Sequence, residues 1–340
     1  PCNANAGRDV TLWGVLAFAG TSLISTFTSL SPTASTWGLG GYYGGLMLVL
    51  FTAAGYWAVR SYLDLENLDF VFWVLGITTS IVAVLYVLNI FNIDLIGAYA
   101  DTAVVERAQF FSTLGQKDFN GCFFSVALPI VFYQFLNAKD TRTAVWTGIP
   151  AAFGALALAV VDSEALALGI GAAVMVLVCH KNFTTRHLRR AALISAAFFG
   201  WAAWMHYMRA SVYTQGGTAL LAKLGAWQVA LPCMAASLLL WLVLFVLARK
   251  GIAAQAPLYL PGRVITIAVL AVGALAFVLA NAMPNLPLPE SLHNLLVFND
   301  DWGTYRGVAW RAAFGTWADG SLLRKIVGIG PGMMHTAVAA

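Results

Sequence analysis

The apolar positions of this chain neither follow one stripe of a helix nor alternate as in a strand. They fall in unbroken runs separated by short polar clusters. A helix needs about 20 such residues, at about 1.5 Å rise each, to cross the hydrocarbon of a bilayer. Nine runs meet or approach that length, over 10–29, 38–59, 70–91, 121–136, 144–161, 165–179, 191–207, 226–248 and 264–283. The fourth, sixth and seventh are short, so their ends are the least defined. The pattern predicts an all-α fold, a polytopic transmembrane helical bundle over 1–283, followed by an external segment over 284–340 that carries a short interfacial helix.

Polar residues between the runs set an orientation, because cytoplasmic loops near span ends are enriched in Lys and Arg. With the amino end inside, one set of loops holds Arg8, Arg60, Lys139, Arg142, Lys181, Arg186, Arg189, Arg190, Arg249, Lys250 and Arg263. The opposite interior loops hold only Arg107, Lys117, Arg209 and Lys223. The runs Arg186-His187-Leu188-Arg189-Arg190 and Arg249-Lys250 are then topology signals and anionic-lipid anchors. Nine spans put 284–340 outside.

Composition agrees with the pattern. Of 340 residues, 60% are hydrophobic and 10% charged, against about 25% charged in an average soluble domain. A net charge of +4 with no basic domain argues against nucleic-acid binding. Four cysteines, Cys2, Cys122, Cys179 and Cys233, lack metal-ligand spacing and read as single buried thiols rather than a disulfide framework. No HExxH, no zinc spacing and no Ser/His/Asp arrangement is present, so neither a metal nor a cofactor is expected. The chain opens on Pro1 and closes on Ala340 just after a Gly-rich turn, and it reads as part of a longer protein.

Basic residues on the outer side oppose the insertion rule and need another reason. Arg107, Lys117, Arg209, Lys223, Arg306, Arg311, Arg324 and Lys325 form that set, a cationic face suited to an anionic group at the membrane surface. In the stretch Asp301 to Arg311, Asp300 or Asp301 caps a helix and Gly320 stops it. Arg306 and Trp310 are spaced i, i+4, so a guanidinium lies beside an indole on one face. The plainer account is an interfacial helix with Trp302, Trp310 and Trp317 as headgroup anchors and Arg311 solvated. Lys325-Ile326-Val327-Gly328-Ile329-Gly330-Pro331-Gly332 is not a P-loop; it is a Gly-Pro turn, with a backbone nest for an oxyanion as its functional use. Before the fourth run, Asn120 is a helix cap and Lys117 pairs with Asp118. Asp162-Ser163-Glu164 joins two runs with almost no loop, holding two carboxylates at the outer lip, either as a solvated hairpin or with one of them as a general base or an orienting partner for an external arginine. His293 reads as a surface histidine.

At Thr304-Tyr305-Arg306-Gly307-Val308-Ala309-Trp310 and Val327-Gly328-Ile329-Gly330-Pro331-Gly332 the chain resembles the bacterial O-antigen ligase/polymerase family of polytopic membrane glycosyltransferases. Thr113-Leu114-Gly115 and Asn120-Gly121, before a span containing Pro129, add to the likeness. The resemblance implies transfer of a glycan from a polyprenyl-pyrophosphate carrier to a glycan, lipid or protein acceptor on the outer face of the bacterial cytoplasmic membrane, in lipopolysaccharide or other envelope assembly. It implies no nucleotide sugar and no essential metal. Arg306 matches the family's pyrophosphate-holding arginine, and Trp310, Arg311 and Lys117 are further candidate substrate-binding residues. The family's second arginine, in a Ser-Arg pair, is replaced here by Asp162-Ser163-Glu164, which leaves Arg209 or Arg107 to substitute. The family's His-Asn motif follows the Gly-rich turn, so it is not His293-Asn294. A transporter or flippase of an anionic lipid or solute, and a non-catalytic scaffold, are the competing readings; no internal repeat of the kind transporters carry is evident.

Overall fold

A computed structural model describes residues 10–38, 44–62, 68–97, 110–161, 163–211, 224–252, 255–283, 288–289, 292–293, 296–300, 302–334 and 336. Helices dominate the described residues: α1 Val10–Phe27, α2 Pro32–Trp37, α3 Leu46–Tyr62, α4 Leu68–Ile90, α5 Lys117–Asn137, α6 Thr141–Val160, α7 Glu164–Cys179, α8 Thr185–Ser211, α9 Trp227–Arg249, α10 Tyr259–Ala282, α11 Trp302–Ala318 and α12 Leu322–Val327. One short hairpin, β1 Phe110–Phe111 paired antiparallel with β2 Gly115–Gln116, leads into α5. The fold is all-α and membrane-like. Among the described residues six helices, α1, α4, α5, α6, α9 and α10, are long and apolar enough to cross a membrane.

Each of the nine predicted runs lies largely within a helix, with corrected ends. The second starts at Leu46, not residue 38, because the chain first forms α2, and Gly45 lies so close to the end of α2 that a side chain on it would strike the Gly38 amide and the Thr36 carbonyl. α5 begins at Lys117, four residues into the polar side of its run. α3 and α7, at 17 and 16 residues, are shorter than the six apolar helices, and α8 carries a basic first turn.

Two compact units divide the chain, Pro1–Leu65 with Ala271–Ala340, and Glu66–Leu270. In the second, Val82, Tyr86 and Ile90 of α4 pack with Phe124 and Leu128 of α5, Leu156 and Val160 of α6, Leu166 of α7 and Met205 of α8. Small residues let the axes close. A methyl group on Gly169 of α7 would lie 2.5 Å from the Ser125 side chain of α5, and one on Gly121 of α5 would run into Ser163 at the entrance to α7. Each of these two helices thus lends a glycine to a serine at the other, the close-approach device of helices packed in lipid.

Pairs of ends show how the helices of this unit run. At one end Trp73 meets Trp146, Arg190 donates to carbonyls at the end of α5, Arg263 donates to the Cys179 carbonyl at 3.1 Å, and a bridge joins Thr184 to Pro257. At the other end Asn89 meets Ser112, Asp118 meets Ser163, and Phe91 meets Trp204. From α4 to α9, successive helices therefore alternate in direction from end to end, and α10 leaves the basic end.

In the first unit α1 packs on α2, α3 and α12. The buried face between α1 and α2 is polar: Ser22, Ser25 and Thr26 of α1 and Ser35 of α2 are buried, and the Ser35 hydroxyl donates to Thr26 Oγ1 at 3.2 Å.

Candidate functional site

Arg306 and Trp310 occupy consecutive turns of α11, and both are exposed. Gly307 follows Arg306 because nothing larger fits: a methyl group there would collide with the Asn299 carbonyl, which crosses the helix at this point. The strap over Gly307 brings Asp300 to Arg311, and their side chains form an exposed ion pair. Arg311 is thus tied to a carboxylate rather than simply solvated, and Asp300 serves it as partner.

α11 ends at Ala318, before Gly320 as the sequence predicts. Ser321 then caps α12 by accepting from the Arg324 amide, and Lys325 returns to α11, its ammonium 5.8 Å from the Trp317 ring centre. Trp317 Nε1 donates to the Lys325 carbonyl at 3.2 Å, which fastens the two helices as a hairpin.

Next comes the Gly-rich turn. Gly328, Gly330 and Gly332 have φ of 87°, 103° and 72°, a region open to glycine and strained for other residues. Gly330 seats on Ser29 and Ser35 of the α1–α2 corner, and Met333 beyond it is buried. The structure therefore joins the Arg306 helix and the Gly-rich turn in one unit, with Gly330 packed against serine side chains.

A second group belongs to the other unit and is described by itself. Ser112, buried with φ of 58°, donates from its amide to Asn89 Oδ1 at 2.7 Å and from its hydroxyl to Asn120 Oδ1 at 2.6 Å. Asn120, fully buried, donates to the Gly115 and Gln116 carbonyls at 3.2 and 3.1 Å. Ser163 donates to Asp118 Oδ1 at 3.3 Å, which draws the first turns of α5 and α7 together. Two expectations are corrected here. Asn120 is inside the first turn, with Gln116 at the cap position, because its side chain closes the β1–β2 hairpin onto α5. Lys117 and Asp118 form no ion pair, since adjacent helical residues point apart and Asp118 faces Ser163.

Lys117 is half-buried beside this network. Glu164 opens α7 and Arg209 lies near the end of α8, each described through its backbone. Arg107 and Asp162 lie outside the described residues. His293 is half-buried in a short turn after Pro289. Among the described residues no group of three or more His, Cys, Asp and Glu side chains converges on a metal position. Cys122 is exposed on α5 rather than buried, while Cys179 and Cys233 are half-buried free thiols.

Sequence reasoning missed the partnership of Asn89 and Ser112 and the role of the basic run at α8. Arg190 Nη1 donates to the Phe135, Leu136 and Ala138 carbonyls at 3.0, 2.9 and 2.7 Å, and Arg186 donates to the Ala138 and Lys139 carbonyls. These guanidiniums satisfy the orphan carbonyls at the end of α5. The chain matches no protein-family profile, no curated protein and no solved structure.

Proposed function

We propose that this chain is a glycosyltransferase of the bacterial cytoplasmic membrane that moves a glycan from a polyprenyl-pyrophosphate carrier to an acceptor on the outer face, as a ligase or polymerase. The observation that carries the reading is the presence, within one unit, of the exposed Arg306 and the glycine turn 328–332. In the proposed reaction an acceptor hydroxyl oxygen bonds to the anomeric carbon as the bond from that carbon to the phosphate oxygen breaks. The carrier pyrophosphate departs with the electron pair, and the hydroxyl proton passes to a base. The Arg306 guanidinium offers a fork of donors to the departing phosphate oxygens, so no metal ion is required. Trp310 and Arg311 lie on the same helix as Arg306.

The same reading takes nine crossings with the amino end inside. The end-to-end alternation from α4 to α9 supports crossings by α7 and α8 despite their length and basic turn. A turn seated on the end of α1 shares the side of the membrane on which α1 ends. Eight crossings, α3 to α10, satisfy this, whereas the five later members of the apolar six do not.

The test supplies the full-length protein with a polyprenyl-pyrophosphate glycan and candidate acceptors. Arg306→Ala is expected to lower the transfer rate about 10²- to 10³-fold with insertion unchanged, the usual loss of one charge-stabilising donor. Wild-type yield from that variant overturns the assignment.

A further inference from the structure

We propose that Arg189 and Arg249 hold the phosphodiester headgroup of an anionic phospholipid, with Phe245 as the floor of the site and the outer flank of α9 as the bed for the acyl chains. The proposal is independent of glycan transfer and requires only that these helices reside in a bilayer.

α8 and α9 run antiparallel, so the first turns of one meet the last turns of the other. There the guanidinium carbon of Arg189 stands 5.9 Å from the centre of the Phe245 ring and that of Arg249 stands 5.2 Å from it. Trp241 stacks on the same ring at 5.4 Å and 19°, which fixes its plane. Two cations gathered on one ring repel each other unless a counter-charge meets them. Among the described residues neither arginine forms an ion pair. The neighbouring cations, Arg186 and Arg190, spend their donors on the carbonyls that end α5, and the carboxylate of the adjoining loop, Asp140, is held by the Thr143 amide and hydroxyl at 2.8 Å.

What lies below the pair selects the ligand. Along α9, Leu239, Leu242, Val243 and Val246 are all exposed, so an apolar strip runs from the two guanidiniums down the helix. A free anion gains nothing from that strip. A lipid phosphate bridging the two forks gains from both, its oxygens accepting from guanidinium and its chains covering the strip.

The test places the full chain in phosphatidylcholine nanodiscs with and without phosphatidylglycerol and counts retained lipids by native mass spectrometry. Selective retention of phosphatidylglycerol is expected. Arg189→Gln and Arg249→Gln should each lower that selectivity about fivefold, the worth of one basic residue at an anionic surface. Lys139→Gln and Lys181→Gln, on the same rim but away from the ring, should leave it unchanged. Should the arginine variants fail to fold, Phe245→Leu keeps both charges, removes the floor and should still reduce selectivity. Equal retention of the two lipids by the wild type, unchanged selectivity in the double arginine variant, equal losses in the lysine variants, or displacement of the lipid by inorganic phosphate alone would each overturn the proposal.

Discussion

Gly330 and Ser35 stand so close that a methyl group added to the glycine would come 2.5 Å from the serine hydroxyl oxygen. The glycine has φ of 103°, so it answers two demands at once, a backbone conformation closed to most residues and a neighbour with no space to yield. Gly330→Ala should destabilise the first unit by about 1–3 kcal/mol, the range for overpacking joined to a disfavoured φ. Chemical unfolding of the full chain in detergent measures this. Gly315→Ala is the control, since its added carbon meets nothing within 4 Å.

The same pairing makes a prediction about sidedness. Single cysteines at Thr33 and Asp319, in a background without native cysteines, should be labelled from one side of the membrane. Cysteines at Lys139 and Lys181 should be labelled from the other. Labelling of Thr33 and Asp319 from opposite sides would remove the nine-crossing topology.

Asn120→Ala should cost about 2–4 kcal/mol. The change removes the acceptor of the buried Ser112 hydroxyl and the donors to two hairpin carbonyls, and each buried polar group left unmet costs about 1–3 kcal/mol. Hydrogen exchange should show β1 and β2 opening while the far end of α5 keeps its protection.

His187 gives a pH dependence. Its Nδ1 accepts from the Thr184 amide at 3.2 Å, so that nitrogen carries no proton, and its Nε2 lies 3.1 Å from Asn137 Oδ1. Burial, then the charges of Arg186, Arg190 and His180, hold the imidazole below its ordinary pKa of 6.5. A histidine depressed in the folded state contributes stability that is complete above about 6.5 and is lost as pH falls through the folded value. The thermal midpoint should therefore drop on mild acidification, and less steeply in His187→Gln. An equal slope in both would exclude the histidine.

The long helices were legible because lipid imposes a length and an apolar composition that survive in the residues themselves. The start of α3 differs from the sequence pattern, since α2 and the close approach of Gly45 to its end precede it. Arg306, Trp310 and the glycine turn stand out through the family resemblance, since their spacing alone fits an interfacial helix and a plain turn. The seating of Gly330 on Ser35 does not, because it joins positions almost a whole chain apart. The basic run at α8 has the composition of a topology signal, and two of its members also end α5, a partnership about fifty residues long that no local pattern carries. Ser112 meets Asn89 and Asn120 for the same reason: hydrogen-bond partners of buried groups are chosen by the fold.

The exchange between α5 and α7, in which Gly121 receives Ser163 and Gly169 receives Ser125, makes these four positions answerable to one another. Bulk added on one helix must be shed by its counterpart on the other, so sequence divergence at this seam is constrained to travel in couples, and a lone replacement is the form that selection removes.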